Sequence, residues 1–485
     1  MKKQTTAILL LFAILLAGCG GTETADTTAA ATDAQTTAAG PRDGLPEDLD
    51  FGGKEVKFHA GLWNTSKNPA AEYFVEELNG DIVNDAVYYR NQAVEERLNV
   101  KLTFDLRETD WGGRQVELNY ITQSIMAGDN AFDIAAYISH LMPSVAVGGA
   151  MHNLTEMKYL NLSQPWWASG YNNISEVNGN LYFAVGDMVM GMYGATYSMF
   201  FNHALIEELK LENPYDLVES GKWTLDKLRE MTEAGYSDLN GDTTMDESDR
   251  LGLVIQGGNH ISGFMEACDV RIFDIAADGE SGEYIFGSEH NVNVVDKVVR
   301  LVHETAGSFY SKEAAATNEY LFFDGNTVFT GGWISDTDYY RELDFDFGVI
   351  PYPKYDEKQD KYYSRLGTSC PVVTIPVTCS DTDMASAVLE VMASEGYYQV
   401  RPAYFDTALK EKYSRDEKTK DMIDLIIERI TVDFGTIYVY SLNDISDKFK
   451  NTIGPNNANW ASNTETWKVQ VMTSLDTLLK TLKGD

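Results

Sequence analysis

The stretch Asp238–Asp249 carries the sharpest chemical pattern in the chain. It places oxygen-bearing side chains at Asp238, Asn240, Asp242, Asp246 and Asp249, the first, third, fifth, ninth and twelfth places of the loop. That is the spacing of an EF-hand calcium loop, because Ca2+ takes about six to eight hard oxygens and a short loop can bring them round one point. The Thr244 carbonyl would add a further donor, so a structural Ca2+ is the expected cofactor. Two residues depart from the pattern: Thr243 stands where the turn glycine usually sits, and Asp249 has a shorter arm than the usual Glu. The alternative is an acidic, solvated turn that caps the next element.

A second chemistry is suggested by aromatic and acidic residues at strand ends. Sugars present apolar ring faces edged with hydroxyls, so a sugar site needs aromatic platforms together with Asp, Asn, Glu or Arg. Trp63 follows the first strand, Tyr137 ends another, Asp187 closes the crossover Ala184-Val185-Gly186-Asp187, and Trp333 follows Gly331-Gly332. Such positions are where ligands gather in open α/β sheets. Trp460, in the polar run Asn456-Asn457-Ala458-Asn459-Trp460, completes the set of candidate ligand residues. For each tryptophan the competing reading is core packing, and Asp187 has the alternative role of a turn or cap residue. Trp166 and Trp167, behind Pro165, read as packing.

Covalent chemistry has no visible motif. The seven histidines show no metal-binding spacing and pair with no nucleophile motif. Carboxylate pairs abound in so acidic a chain, but separation in space decides a glycosidase mechanism. The expectation is a chain that is not an enzyme.

The N-terminus carries an address. Lys2 and Lys3 precede the apolar run Ala7–Leu16, which is too short to span a bilayer, and Leu16-Ala17-Gly18-Cys19 resembles the lipobox of bacterial lipoproteins. Residues 1–19 are therefore a signal with Cys19 as the lipidation site. Residues 20–50 form a linker, almost wholly Gly, Thr, Ala and Asp as far as Pro41, which cannot bury enough surface to fold. Extracytoplasmic, membrane-anchored placement follows.

With the signal removed the formal charge moves from −36 to −38. So acidic a surface repels phosphate backbones and excludes nucleic acid as a partner. Hydrophobic residues make up 44% of the chain and aromatic residues 12%, which is ample for a large core in residues 51–485. Once Cys19 carries lipid, Cys268, Cys370 and Cys379 allow at most one disulfide, its pairing open.

Periodicity supplies the frame that must position these residues. Val56 and Phe58 alternate in a strand; Val83, Val87, Val94 and Leu98 share a helical face; Val100, Leu102 and Phe104 alternate again. Leu118, Ile121 and Ile125 mark the next helix, and Phe132 to Ile138 another strand, giving an α/β unit with a largely parallel sheet. Later helices are marked by Met384, Val388, Val391 and Met392, by Met422, Leu425 and Ile426, and by Trp467, Val471, Leu475, Leu478 and Leu482.

Several segments, in order along the chain, resemble the extracellular solute-binding proteins of bacterial ABC importers, in particular the carbohydrate branch. They are Asn161-Leu162-Ser163-Gln164-Pro165-Trp166-Trp167, Gly179-Asn180-Leu181-Tyr182-Phe183-Ala184, Met199-Phe200-Phe201-Asn202, Gly221-Lys222-Trp223-Thr224 and Phe347-Gly348-Val349-Ile350-Pro351-Tyr352-Pro353-Lys354. The resemblance implies a two-lobed α/β fold of the periplasmic-binding-protein type, with a hinge and a ligand cleft between the lobes. Lobe 1 would hold about 52–188 and 368–405, and lobe 2 about 189–367 and 406–485. It also implies ABC permease subunits as partners and marks Trp333 as the foremost sugar platform. Other readings are a peptide or small-solute binder of the same fold, a lipid-anchored glycoside hydrolase, and a ligand-sensing lipoprotein.

Overall fold

The computed structural model describes residues 42–63, 68–276, 279, 281–312, 321–340, 342–405, 417–457 and 459–483. Cys19, its lipobox and the linker as far as Pro41 lie outside the described residues. Residues 43–50, expected in the linker, instead pack on the folded part: Asp43 is buried and its carboxylate accepts from Arg97 Nε at 3.1 Å. A buried acid bonded to a guanidinium of the folded part orders its segment, whatever the composition upstream.

The first lobe is built on a four-stranded sheet. Strand β1 (Lys54–Leu62) lies between β2 (Val100–Glu108) and β3 (Ile134–Ile138), parallel to both, and β9 (Pro371–Thr374) closes the far edge antiparallel to β3. Helix α1 (Ile82–Leu98) links β1 to β2, and α2 (Arg114–Ala127) links β2 to β3. Local chemistry sets these helix ends. Asp81 caps α1 by accepting from the Val83 and Asn84 amides, and Asn99 ends it at φ +47°.

A five-stranded sheet forms the second lobe, in the order β8 (Phe347–Ile350), β4 (Tyr197–Asn202), β7 (Thr327–Trp333), β5 (Leu251–Gln256) and β6 (Ser308–Ser311). β4 runs antiparallel to both neighbours, while β7, β5 and β6 are parallel. Helices α3 (Gly258–Ala267), α5 (Glu417–Glu428), α6 (Asp447–Ile453) and α7 (Trp460–Leu482) pack around it, and α4 (Thr382–Glu395) packs on α1 in the first lobe. The C-terminal helix is not confined to one lobe. The Leu482 carbonyl, left open in the last turn of α7, accepts from Asn180 Nδ2 at 3.1 Å and from the Tyr182 hydroxyl at 3.3 Å.

Two chain segments cross between the sheets and pair with each other. Thr196 and Leu366 form an antiparallel bridge, and the Gly367 amide donates to the Ala195 carbonyl at 2.9 Å. Among the described residues no helix is long and apolar enough to cross a membrane. Cys268, Cys370 and Cys379 are all buried free thiols, so the one disulfide that the count allowed is not formed.

The first lobe's core contains a buried acid. Glu390 of α4 accepts from Trp166 Nε1 at 3.2 Å, Trp167 Nε1 at 2.9 Å and the Asn161 amide at 3.1 Å. Burial still dominates these bonds and pushes its carboxyl from 4.5 up to about 7. An acid with a raised folded value binds more protons folded than unfolded, so its contribution is full below about pH 4.5 and is lost as pH rises to about 7. The stability of the wild type relative to Glu390→Gln should therefore fall by about 3 kcal/mol between pH 4 and pH 8. Urea titrations of both proteins at the two pH values measure this, and a constant difference refutes it.

Candidate functional site

The ends of the two sheets face one cavity of about 490 Å3, within the range of small-molecule sites. One wall comes from the first lobe, where Trp63 follows β1, Trp111 follows β2, and Ile138 and His140 stand at the end of β3. The other comes from the second lobe: Tyr197 and Trp333 at the paired ends of β4 and β7, Asn259 in the first turn of α3, then Ser335, Asp336 and Tyr339, with Asp447 and Lys450 from α6. Gly194, Ala195, Gly367, Thr368 and Ser369, all from the two crossing segments, complete the lining.

Each wall presents a pair of aromatic rings. Trp63 and Trp111 meet edge to face at 6.4 Å, and Tyr197 and Trp333 lie 5.3 Å apart at 52°. Arg114 stacks over the Trp111 ring at 3.8 Å, and His140 flanks it at 5.4 Å. Trp333 is held from beneath by the His260 ring at 5.7 Å. Burial presses the His260 imidazole down to about 4, so it stays neutral near pH 7.

The charged groups of the cavity compensate one another. Lys450 Nζ sits 2.9 Å from Asp447 Oδ1 and donates to Asn259 Oδ1 at 3.1 Å. Asp336 Oδ2 accepts from the Trp333 amide at 2.9 Å, yet burial outweighs that bond and raises its carboxyl to about 7. Burial also lowers His140, against the pull of Asp447 and Asp444. The result is a cavity of aromatic faces and hydrogen-bonding groups with little unbalanced charge.

Of the five residues expected to touch ligand, Trp63 and Trp333 line the cavity and the other three do not. Tyr137 is buried because its side chain leaves β3 on the α2 side: its hydroxyl donates to the Arg114 carbonyl at 3.0 Å, and its ring fills the space beside Gly61. Asp187 is buried against Tyr193, whose hydroxyl donates to it, and Arg401 at 3.4 Å, where burial raises its carboxyl to about 6. Trp460 begins α7 and packs on Phe286 at 4.7 Å and Trp467 at 5.6 Å. Trp111 was missed although it stands just past a strand end, as Trp63 does. Asp447 and Lys450 carry no sequence signal, since only the packing of α6 on α3 brings them to the cavity.

The acidic loop is closed at its neck by the Ser237–Arg250 bridge. Within it Asp238 accepts from the Gly241 amide at 2.6 Å and the Thr243 amide at 2.9 Å, Asn240 from the Asp242 amide at 2.8 Å, and Asp242 from the Thr244 amide at 2.7 Å. Asp246 accepts from the Ser248 amide at 2.9 Å, and Asp249 from the Leu239 amide at 3.0 Å. Thr243 adopts φ +66°, the left-handed backbone for which glycine is usual. Among the described residues no three His, Cys, Asp or Glu side chains gather as a metal-holding group.

No protein-family model and no curated protein sequence matches the chain. Solved structures do. The cyclic alpha-maltosyl-1,6-maltose binding protein of Arthrobacter globiformis is 14% identical, with 88% of this chain and 100% of that one covered at a TM-score of 0.57. An ABC substrate-binding protein of Listeria monocytogenes, in complex with cycloalternan, is 11% identical over 89% and 99% at 0.53. UgpB of Mycobacterium tuberculosis, in complex with glycerophosphocholine, is 14% identical over 81% and 95% at 0.53. The chain thus has the two-lobed fold of the ABC solute-binding proteins.

The Gly331-Gly332 pair before Trp333 is explained by close approach. A Cβ on Gly331 would stand 2.2 Å from the Tyr352 hydroxyl, and one on Gly332 would stand 2.3 Å from Asp336 Oδ2. Gly331→Ala should therefore lower stability by about 1–3 kcal/mol through overpacking, read as a shift in urea midpoint at unchanged slope. An unshifted midpoint would show that the site has room to spare.

Proposed function

We propose that this chain is the extracytoplasmic binding lipoprotein of an ABC importer, which captures a carbohydrate, an oligosaccharide in particular, and delivers it to permease subunits without covalent chemistry. The observation that carries the reading is the convergence of two aromatic pairs, Trp63 with Trp111 and Tyr197 with Trp333, on one cavity between the lobes. Rings on both walls suit a ligand with apolar faces, and charge-compensated polar groups between them suit hydroxyls rather than an ionic solute. Lobe closure on such a ligand is a hinge motion shifted by tighter binding to the closed form. The lipobox at Cys19 supports membrane anchorage. The neighbours of known structure are binding proteins, two of them named for or solved with cyclic sugars, which supports the same reading.

The test is a thermal-shift screen of residues 42–485 against mono- and oligosaccharides, short peptides and glycerophosphodiesters. A ligand at a hundred times its dissociation constant adds about 2.7 kcal/mol, a clear rise in melting temperature. We expect a rise with one sugar class, unchanged sugar on prolonged incubation, and affinity weakened about tenfold or more by Trp333→Ala. A rise only with peptides or phosphodiesters replaces the ligand, and released monosaccharide replaces binding with hydrolysis.

We further propose that Asp238, Asn240, Asp242, Thr244, Asp246 and Asp249 hold a structural Ca2+. The support is the EF-hand spacing and the left-handed Thr243, which reproduces the turn of such loops. Calcium at 1 mM should raise the melting temperature over a chelated sample, Asp238→Ala should abolish the rise, and Thr243→Gly should enlarge it. Equal melting temperatures with calcium and with chelator would leave the loop as an acidic turn.

A further inference from the structure

Outside the cavity, the first lobe contains a histidine whose two ring nitrogens both face carboxylates. His59 is fully buried on β1; its Nδ1 lies 2.9 Å from Asp105 Oδ2 and its Nε2 lies 2.7 Å from Glu117 Oε1. Each ring nitrogen thus has a carboxyl oxygen within hydrogen-bond distance, and the two contacts hold the ring from both sides. The ring is stacked on Phe132 at 5.1 Å and 28°, with Tyr120 at 5.1 Å on a tilted approach. Arg107 adds a cation: its guanidinium covers Tyr120 at 3.9 Å and reaches Glu117 Oε2 at 3.8 Å. His59 and Glu117 form the buried centre of this network, with Asp105 and Arg107 at its solvent-facing ends, and linked partners fix geometry more strongly than each would singly.

What the network fixes is the start of α2. On β1, His59 and Gly61 point to the same face, towards that helix. The absent side chain at Gly61 lets α2 approach: a Cβ there would stand 2.8 Å from Glu117 Cγ. Glu117 lies in the first turn of α2, where its amide donates to the Gly113 carbonyl at 3.3 Å, two residues from Trp111. Arg114 donates to the Trp111 carbonyl and stacks on its ring. Gly113, the residue that caps α2, offers no side-chain cap of its own.

We propose that His59 is a positioning residue for the cleft: by clamping Glu117 between β1 and β2 it sets the start of α2, and so the place of Trp111 in the ligand-facing wall. The part played by Trp111 in binding rests on the proposed function; its placement by His59 does not.

The experiment labels the full folded chain with 5-fluorotryptophan and assigns the Trp111 fluorine resonance by Trp111→Phe. In His59→Gln and in the milder Glu117→Gln, the Trp111 resonance should shift or broaden while those of Trp223 and Trp460, buried in the second lobe, hold still. Maltotetraose affinity is then measured in a double-mutant cycle. His59→Gln should weaken it about tenfold in the wild type and less than about twofold in a Trp111→Ala background. A Trp111 resonance unmoved by both substitutions overturns the proposal, as do equal losses of affinity in both backgrounds. A moved resonance in a protein that binds no oligosaccharide sustains the positioning role and removes the carbohydrate reading instead. Glu117→Gln keeps the outcome readable should His59→Gln fail to fold.

Discussion

The pairing of Thr196 with Leu366 is the constraint on which the cleft depends. Both segments pass from one sheet to the other, and they pass side by side. The Gly367 amide bonded to the Ala195 carbonyl draws the strands close enough that a Cβ on Gly367 would stand 2.8 Å from that oxygen. The Ile334 amide donates to the Thr196 carbonyl at 2.9 Å, which ties the end of β7, and with it Trp333, to the crossing itself. Trp333 is thus carried at the crossing, whereas Trp63 and Trp111 stand on the first-lobe wall away from it.

Buried polar groups hold this geometry where an apolar core would leave it loose. Arg365, one residue before Leu366, is buried with Glu266 of α3, whose second oxygen accepts from the Thr436 hydroxyl at 3.2 Å. That pair pins the crossing strand to the second lobe in one register, since removing either partner would leave a buried charge uncompensated. Asp336 acts similarly at shorter range: its carboxyl turns the backbone after Trp333 by accepting that residue's amide. In the first lobe Glu390 gathers two indoles and a backbone amide, so that the Trp166-Trp167 segment is oriented and not merely buried.

The parts of this design that could be read from the sequence are those where one face of an element is buried and the other wet. α1, β2, α2, α5 and α7 showed their periods because solvent marks one side of each, whereas α4 is buried all round from Met384 to Ser394 and showed itself by its apolar content. β4, β5 and β7 are buried on both faces and give continuous apolar runs without a period. The strand-end argument located Trp63 and Trp333 but also selected Tyr137, because it cannot tell which side of a strand a residue leaves. Tyr137 points to α2, the same face as His59 and Gly61 of its neighbour, while the cavity opens beyond the strand tips. Residues 43–50 were invisible for a different reason: a single buried carboxylate, Asp43 on Arg97, ordered a stretch whose composition favours disorder.

Fold and ligand are set by different residues, and the neighbours of known structure illustrate the point. Chains of one architecture, each 11–14% identical to this one, are described with a cyclic sugar or with glycerophosphocholine. What such chains hold in common is the overall fold. What distinguishes them must lie in side chains that the fold leaves free to vary. Here those side chains are two aromatic pairs and a few polar groups whose charges are already matched, Lys450 to Asp447 above all. The ammonium and the carboxylate keep donors and lone pairs beyond their mutual bond, so a ligand hydroxyl can donate to Asp447 or accept from Lys450 with the pair intact. A neutral, ring-faced solute, the class proposed above, would meet aromatic faces and charges already bonded to each other.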